Sequence, residues 1–342
     1  MDWIHGTVSK STFPALGAVA LALFAGTGPA AAQPAAAASI LTQPQVDVGK
    51  AIVLPDVVYS RPQGFRPLKL DIYKPKGATG PRPVVVWFHG GGWAAGDARG
   101  GPFGGTDGPA FFAELAGRGY VVASASYRFV REAKFPAQVE DARAAVRYLR
   151  ANAAHYGIDP TQVFAAGGSA GGYLSTMLGL ACGDASFDPP ARPGANGAVP
   201  PPPPAGSECV QGVVDAYPVT ELLSLAQFKN PNGPPYASAE GILGTFLGCA
   251  PAACPPASQQ RFGVMQRISA TSPPFLILHG DTDVTVPVDE SRKFDAALKA
   301  KGVSSQLIVV PGYAHTFPQA PPELRANLTQ QIGTWLDAHS RR

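Results

Sequence analysis

Four glycines crowd a single serine in the stretch VFAAGGSAGGYLS, residues 163–175. An apolar run, Val163 to Ala166, comes before them and helix-forming residues follow. Glycine loses more backbone freedom on folding than any other residue, so this density is costly unless the backbone needs it. The pattern predicts a buried strand that turns sharply into a helix, with Ser169 at the turn. A strand feeding a helix directly is one half-turn of an alternating α/β pattern, and the fold class rests on whether that alternation continues along the chain.

The rest of the chain agrees. Short apolar runs predict strands at Val57–Tyr59, Leu68–Tyr73, Val84–Phe88, Tyr120–Ser126, Val163–Ala166, Val210–Tyr217, Phe275–Leu278 and Gln306–Val310. Between them lie helical patterns. Residues 137–154 set Val139, Ala142, Val146, Leu149 and Ala153 on one face and stop before Gly157. Residues 289–301 pair Phe294 with Leu298, and a last helix carries Leu324, Leu328, Ile332 and Trp335. The expected architecture is a mostly parallel eight-stranded sheet covered by helices on both faces. One domain, 51–342, accounts for it. Residues 183–207 read as an irregular surface loop, proline-rich at 188–204. Residues 218–272, with proline clusters and short apolar pieces, read as an insertion over the sheet.

The N-terminus differs in kind. Residues 1–32 carry only Asp2 and Lys10 as charges, Ala15–Phe24 is apolar, and Ala30-Ala31-Ala32 suits a cleavage site. This is the pattern of a secretory signal peptide, and the apolar stretch is shorter than the roughly 20 residues a bilayer span needs. A flexible segment, 33–50, is expected to follow. The mature chain is expected to be secreted or periplasmic, with no stable membrane insertion. Its four cysteines would then meet an oxidising compartment and form two disulfides, with three pairings open. Cys249 and Cys254 bracket the loop CAPAAC, so a local bridge is favoured. Cys182–Cys209 would then close the loop holding the proline run at 200–204. A zinc site is disfavoured, because there is no C-x-x-C and no histidine close by in sequence. A net charge of +3 with no basic run gives no support to a nucleic-acid partner. Nothing in the sequence fixes an oligomeric state.

Gly167-Gly168-Ser169-Ala170-Gly171 fits G-x-S-x-G in the strand-to-helix context that motif requires. It places Ser169 Oγ above the sheet and the Ala170 N–H at a helix N-terminus, free to meet developing negative charge. Upstream, VVVWFHGGGWAAGD, residues 84–97, ends a strand in a glycine run of the oxyanion-loop type. The N–H groups of Gly91 and Gly92 would join Ala170 as donors. A serine hydroxyl needs a base. His5 lies in the leader, His89 belongs to the glycine loop, His155 ends a helix, His279 ends a strand, and His339 sits in the tail. His315 remains, in VVPGYAHTF between the last strand and the last helix. An acid between Ser169 and His315 in chain order comes from LILHGDTDVTVP. Asp283, further along the turn, is preferred, with Asp281 shaping it.

Together these residues resemble the α/β-hydrolase superfamily, and within it the serine carboxylesterases near hormone-sensitive-lipase-like enzymes. The run YRFVREAKFPAQVEDARAAVRYLRANAAHYGIDP before VFAAGGSAGGYL is most similar to bacterial feruloyl and acetyl-xylan esterases. Lipase-like relatives usually read GDSAGG at the elbow, where this chain has Gly168. The resemblance implies that Asp283 is the acid and that 218–272 forms a small lid beside an acyl pocket. The expected function is hydrolysis of a small-molecule or polymer-linked ester, with no metal or organic cofactor. A serine peptidase or amidase of the same fold, and a non-catalytic binding protein on this scaffold, are the alternatives. Of the aromatic residues, Trp93 and Tyr173 are the favoured substrate contacts.

Overall fold

The computed structural model describes residues 45–104, 108–189, 206–228 and 241–341. The expected leader and most of the proline-rich loop therefore lie outside the described residues, as does 229–240 of the insertion. Among the described residues, nine strands form one sheet: β1 Val46–Val48, β2 Ala51–Ser60, β3 Leu68–Pro75, β4 Arg82–Phe88, β5 Val121–Ala125, β6 Ile158–Gly168, β7 Gly212–Ala216, β8 Phe275–Gly280 and β9 Ser305–Val310. Their spatial order is β1-β2-β3-β5-β4-β6-β7-β8-β9. The β1, β2 and β3 strands are antiparallel, and β5 through β9 run parallel to one another.

Eight strands were expected, so the ninth is a correction. The β1 strand falls at the end of the segment expected to be flexible, where Val46–Val48 pairs antiparallel with Ala51–Val53 across a tight turn. The β2 strand is also longer than Val57–Tyr59. Pro55 and Asp56 look like a break, yet the sheet absorbs them in a register shift between Leu54 and Val57, with Asp56 at φ +58°. Such a bulge lets a strand keep pairing past residues that cannot sit in a regular ladder.

The helices are α1 Gly108–Gly117, α2 Ala137–Ala151, α3 Ala153–Tyr156, α4 Ala170–Leu180, α5 Leu222–Gln227, α6 Ile242–Leu247, α7 Pro256–Phe262, α8 Val288–Ala300 and α9 Pro322–His339. Strand alternation divides the core. Val84, Val86 and Phe88 of β4 face one apolar cluster with residues of α2, α4 and α8. Val85 and Trp87 face the other, with α1 and α9. The central parallel strands β5, β7 and β8 are buried along their whole length, which is why these segments read as continuous apolar runs. The carboxyl ends of β4, β6, β7, β8 and β9 consequently open onto the same edge of the sheet, where α/β proteins place their sites.

Candidate active site

The elbow shows why its glycines are needed. Ser169 joins β6 to α4 at φ +56°, ψ −118°, outside the usual helical and strand regions. A Cβ at Gly167 would lie 2.4 Å from the Gly171 backbone, and one at Gly171 would lie 2.0 Å from Phe88 O. Strand, helix and the end of β4 therefore meet at a separation that no side chain fits. The Ser169 N–H donates to Ala216 O at 2.9 Å, tying the elbow to β7.

Ser169, His315 and Asp283 come together from three strand ends. His315, in the β9–α9 loop, brings Nε2 to 3.0 Å from Ser169 Oγ. Its Nδ1 lies 2.6 Å from Asp283 Oδ2, after β8. The other carboxylate oxygen, Oδ1, accepts the N–H groups of Thr285 at 2.8 Å and Val286 at 2.9 Å. Burial works to raise the Asp283 carboxyl. Hydrogen bonds from His279 and His315 and the Val286 N–H outweigh it and hold the group well below the usual carboxylate range. It is an anion, so it accepts the His315 Nδ1–H and leaves Nε2 as an acceptor for the serine proton. Asp281 instead accepts the Gly312 N–H at 2.6 Å, bracing the turn after β9.

The glycine loop lies against the elbow. A Cβ at Gly90 would be 3.4 Å from Ser169 Cβ. Gly91 and Gly92 have φ of +107° and +61°, and a Cβ at Gly91 would fall 2.2 Å from Ala95 O, so no other residue fits there. Among the described residues, the N–H groups of Gly91, Gly92 and Ala170 have no protein acceptor. His89 underpins the loop. It is buried, its Nδ1–H donates to Gly90 O at 2.7 Å, and its ring stacks on Tyr127. Burial pulls its pKa down to about 4, so it is neutral near pH 7.

Trp93 and Tyr173 are not open contacts for a substrate. Trp93 is only 2% exposed, stacks on Phe246 of α6 with centroids 4.1 Å apart, and meets Tyr173 edge-on. Tyr173 is fully buried and its hydroxyl donates to Phe262 O at 2.8 Å. Both fasten the 218–272 insertion to the oxyanion loop and elbow helix. In that insertion Ile242 also reaches the glycine loop, its Cδ1 lying 3.3 Å from where a Gly92 Cβ would be. Two neighbours escaped the sequence reading. Tyr217, after β7, sets its ring edge against His315 with centroids 4.7 Å apart and donates its hydroxyl to Pro102 O. His279 lies 3.2 Å from Asp283 Oδ2. A histidine and an aspartate four apart at a strand end were the available signal for the second. The four cysteines form the two expected bridges, Cys182–Cys209 and Cys249–Cys254.

Comparison with known proteins agrees with this architecture. Esterase LipC of Mycobacterium tuberculosis is 27% identical over 250 residues, covering 72% of this chain and 56% of LipC. The probable carboxylic ester hydrolase LipM of the same organism is 29% identical over 242 residues, covering 70% and 50%. The chain thus spans about half the length of these curated relatives. The thermophilic esterase Est2 of the planctomycete Thermogutta terrifontis superposes with a TM-score of 0.61 at 28% identity, over 84% of this chain and 92% of its own. The bifunctional GH43-CE protein of Bacteroides eggerthii gives 0.67 at 27% identity, over 84% of this chain and 38% of its own. The family described as BD-FAE matches residues 70–298, from β3 through most of α8. With more than half its length so matched, the chain belongs to the BD-FAE family, on an α/β-hydrolase fold.

Proposed function

We propose that this protein is an exported serine esterase that hydrolyses carboxylic esters of short acyl or compact aromatic acids through an acyl-enzyme. The observation that carries the reading is the unbroken run of contacts from Ser169 Oγ to His315 to the Asp283 carboxylate at the elbow. Ser169 Oγ attacks the ester carbonyl while its proton passes to His315 Nε2. Asp283 Oδ2 stabilises the imidazolium that forms and keeps its ring in place. The carbonyl oxygen gains negative charge beside Gly91, Gly92 and Ala170, and one such donor is worth roughly 3 kcal/mol of barrier. The proton on Nε2 then goes to the departing alcohol. Water, deprotonated by His315, attacks the acyl-enzyme, and the acid leaves as Ser169 recovers its proton.

Relatives named as esterases support the reaction class. Two disulfides support export to an oxidising compartment. The insertion supports a small acyl group. Its described helices have six, six and seven residues, too short for the wide apolar stripe that an interfacial lid presents. A fluorophosphonate probe is expected to label the protein and to spare Ser169→Ala. Labelling or near-normal turnover by a folded Ser169→Ala variant would overturn the assignment. Acetate and butyrate esters are expected to outrun palmitate and aminoacyl amides. A palmitate preference, with a rate jump once the substrate aggregates, would reverse the lid argument.

A further inference from the structure

Asp283 is held from a side that the serine relay does not use. His279, the penultimate residue of β8, is completely buried. Its Nε2 lies 2.9 Å from Val286 O and 3.2 Å from Asp283 Oδ2. A carbonyl oxygen only accepts, so Nε2 carries the proton, and its N–H forks between that carbonyl and the carboxylate. Its Nδ1 lies 2.7 Å from Ser291 Oγ, on α8. In the neutral ring Nδ1 accepts the serine proton, which fixes the tautomer from a second element.

We infer that His279 is a positioning residue for the proposed ester hydrolysis, with Ser291 setting its tautomer. The inference rests on the serine-esterase reading above. Asp283 Oδ1 is anchored by the Thr285 and Val286 N–H groups, but one anchored oxygen leaves the carboxylate free to swing about that point. Oδ2 is the oxygen that receives His315 Nδ1–H. The His279 N–H fixes it independently of His315, so Oδ2 is held in place before substrate arrives. Oδ1 is bound to its own loop; Oδ2 is bound to the end of β8, which is buried along its whole length. The acid's position is thereby referred to the core of the sheet rather than to the turn alone. The hydrogen-bond partners of His279 are Asp283, Val286 and Ser291, none of them expected to meet substrate, so its effect belongs to the chemical step and not to binding.

The test compares His279→Leu, His279→Gln and Ser291→Ala with the parent on an acetate ester, with near-UV circular dichroism as the check on folding. For His279→Leu, kcat should fall on the order of 100-fold at nearly constant KM, the size of loss that follows a misplaced catalytic group. Gln carries an amide N–H at about the reach of Nε2, and His279→Gln should recover most of that loss. Ser291→Ala should lower kcat by a smaller factor, again without moving KM. A folded His279→Leu variant with kcat within about threefold of the parent overturns the inference, as does His279→Gln being no better than His279→Leu. If His279→Leu does not fold, Ser291→Ala decides, and unchanged kcat there overturns it. Ser169→Ala run in parallel separates the two readings. If that variant is dead while His279→Leu is normal, only the positioning role fails. If it turns over normally, the esterase reading itself fails.

Discussion

Exchanging Asp283 for asparagine changes one atom, and the hydrogen-bond inventory around it dictates the result. The carboxylate accepts four N–H groups: two backbone donors on Oδ1 and two imidazole donors on Oδ2. Asparagine has one acceptor oxygen and one NH2. If its oxygen stays with the Thr285 and Val286 N–H groups, its NH2 faces His315 Nδ1. If it flips, the NH2 meets two backbone donors that cannot move. The first arrangement is the less costly. It forces His315 to accept at Nδ1 and to carry its proton on Nε2, 3.0 Å from Ser169 Oγ, where a base is needed. The base is then lost, and the His279 N–H keeps only Val286 O as its acceptor. A wrong tautomer of this kind costs about 10^3–10^4 in kcat, or roughly 4–5.5 kcal/mol of barrier. Asp281 makes a different contact, accepting the Gly312 N–H at an exposed turn, so Asp281→Asn keeps an acceptor there and should cost less than about tenfold. The assay is kcat on a soluble acetate ester, with thermal melting to confirm that both variants fold. Equal losses, or a larger loss for Asp281→Asn, would refute the assignment of the acid and the tautomer argument with it.

The remaining predictions concern stability. Burial pushes the Glu290 carboxyl up to about 7, against the N–H groups of Thr220 and Glu221 that bind its Oε2 and lower it. Between pH 4.5 and about 7 the folded protein therefore holds a proton that the unfolded chain, with the ordinary glutamate value of 4.5, has lost. Stability is full below about 4.5, falls as pH rises toward 7, and is lower by about 3 kcal/mol above that. Glu290→Gln does not titrate, so its melting temperature should gain on the parent from pH 5 to pH 8; a constant difference across that range would remove the argument. Replacing Cys182 and Cys209 by serine opens a loop with a sequence separation of 27, worth about 3.5 kcal/mol on a chain-entropy account. The same change at Cys249 and Cys254 opens one with a separation of 5, worth about 2 kcal/mol. Denaturant midpoints in the opposite order would show that something other than loop closure sets the stabilisation.

The elbow and the glycine loop were legible in sequence because each is a local device, while His315 was reached by setting aside the other five histidines. A serine between small residues, or three glycines after an apolar strand, states its own backbone geometry. The buried strands were legible because burial on both faces leaves uninterrupted apolar runs, as in Val84–Phe88. What escaped depends on pairings that the local apolar pattern does not single out. The β1 strand has only three residues, all at least partly exposed, and pairing with β2 is its main support. His279 looked like a strand terminus because its role needs Ser291 on α8 and Val286 in the turn. Trp93 and Tyr173 have the same composition whether they face a substrate or Phe246 and Phe262. Only the packing of the insertion distinguishes the two, and no local pattern encodes it.

The site also concentrates backbone strain, and the core explains how that strain is held. Five non-glycine residues with positive φ stand just past the strand ends at this edge: Trp93, Ser169, Tyr217, Thr316 and Phe317. Each costs on the order of 1–3 kcal/mol and persists only where its surroundings over-determine it. Trp93 is pinned between Phe246 and Tyr173. Tyr217 is fixed at both ends, its N–H on Leu278 O and its hydroxyl on Pro102 O. Phe317 is fully buried against Phe103 and Tyr217, which sets the turn carrying His315 two residues before it. The aromatic core therefore continues through Phe317 and Tyr217 up to His315. The strained turns aim Ser169 and His315, and the buried rings beneath them supply the rigidity that keeps a 3.0 Å contact in register before any substrate binds.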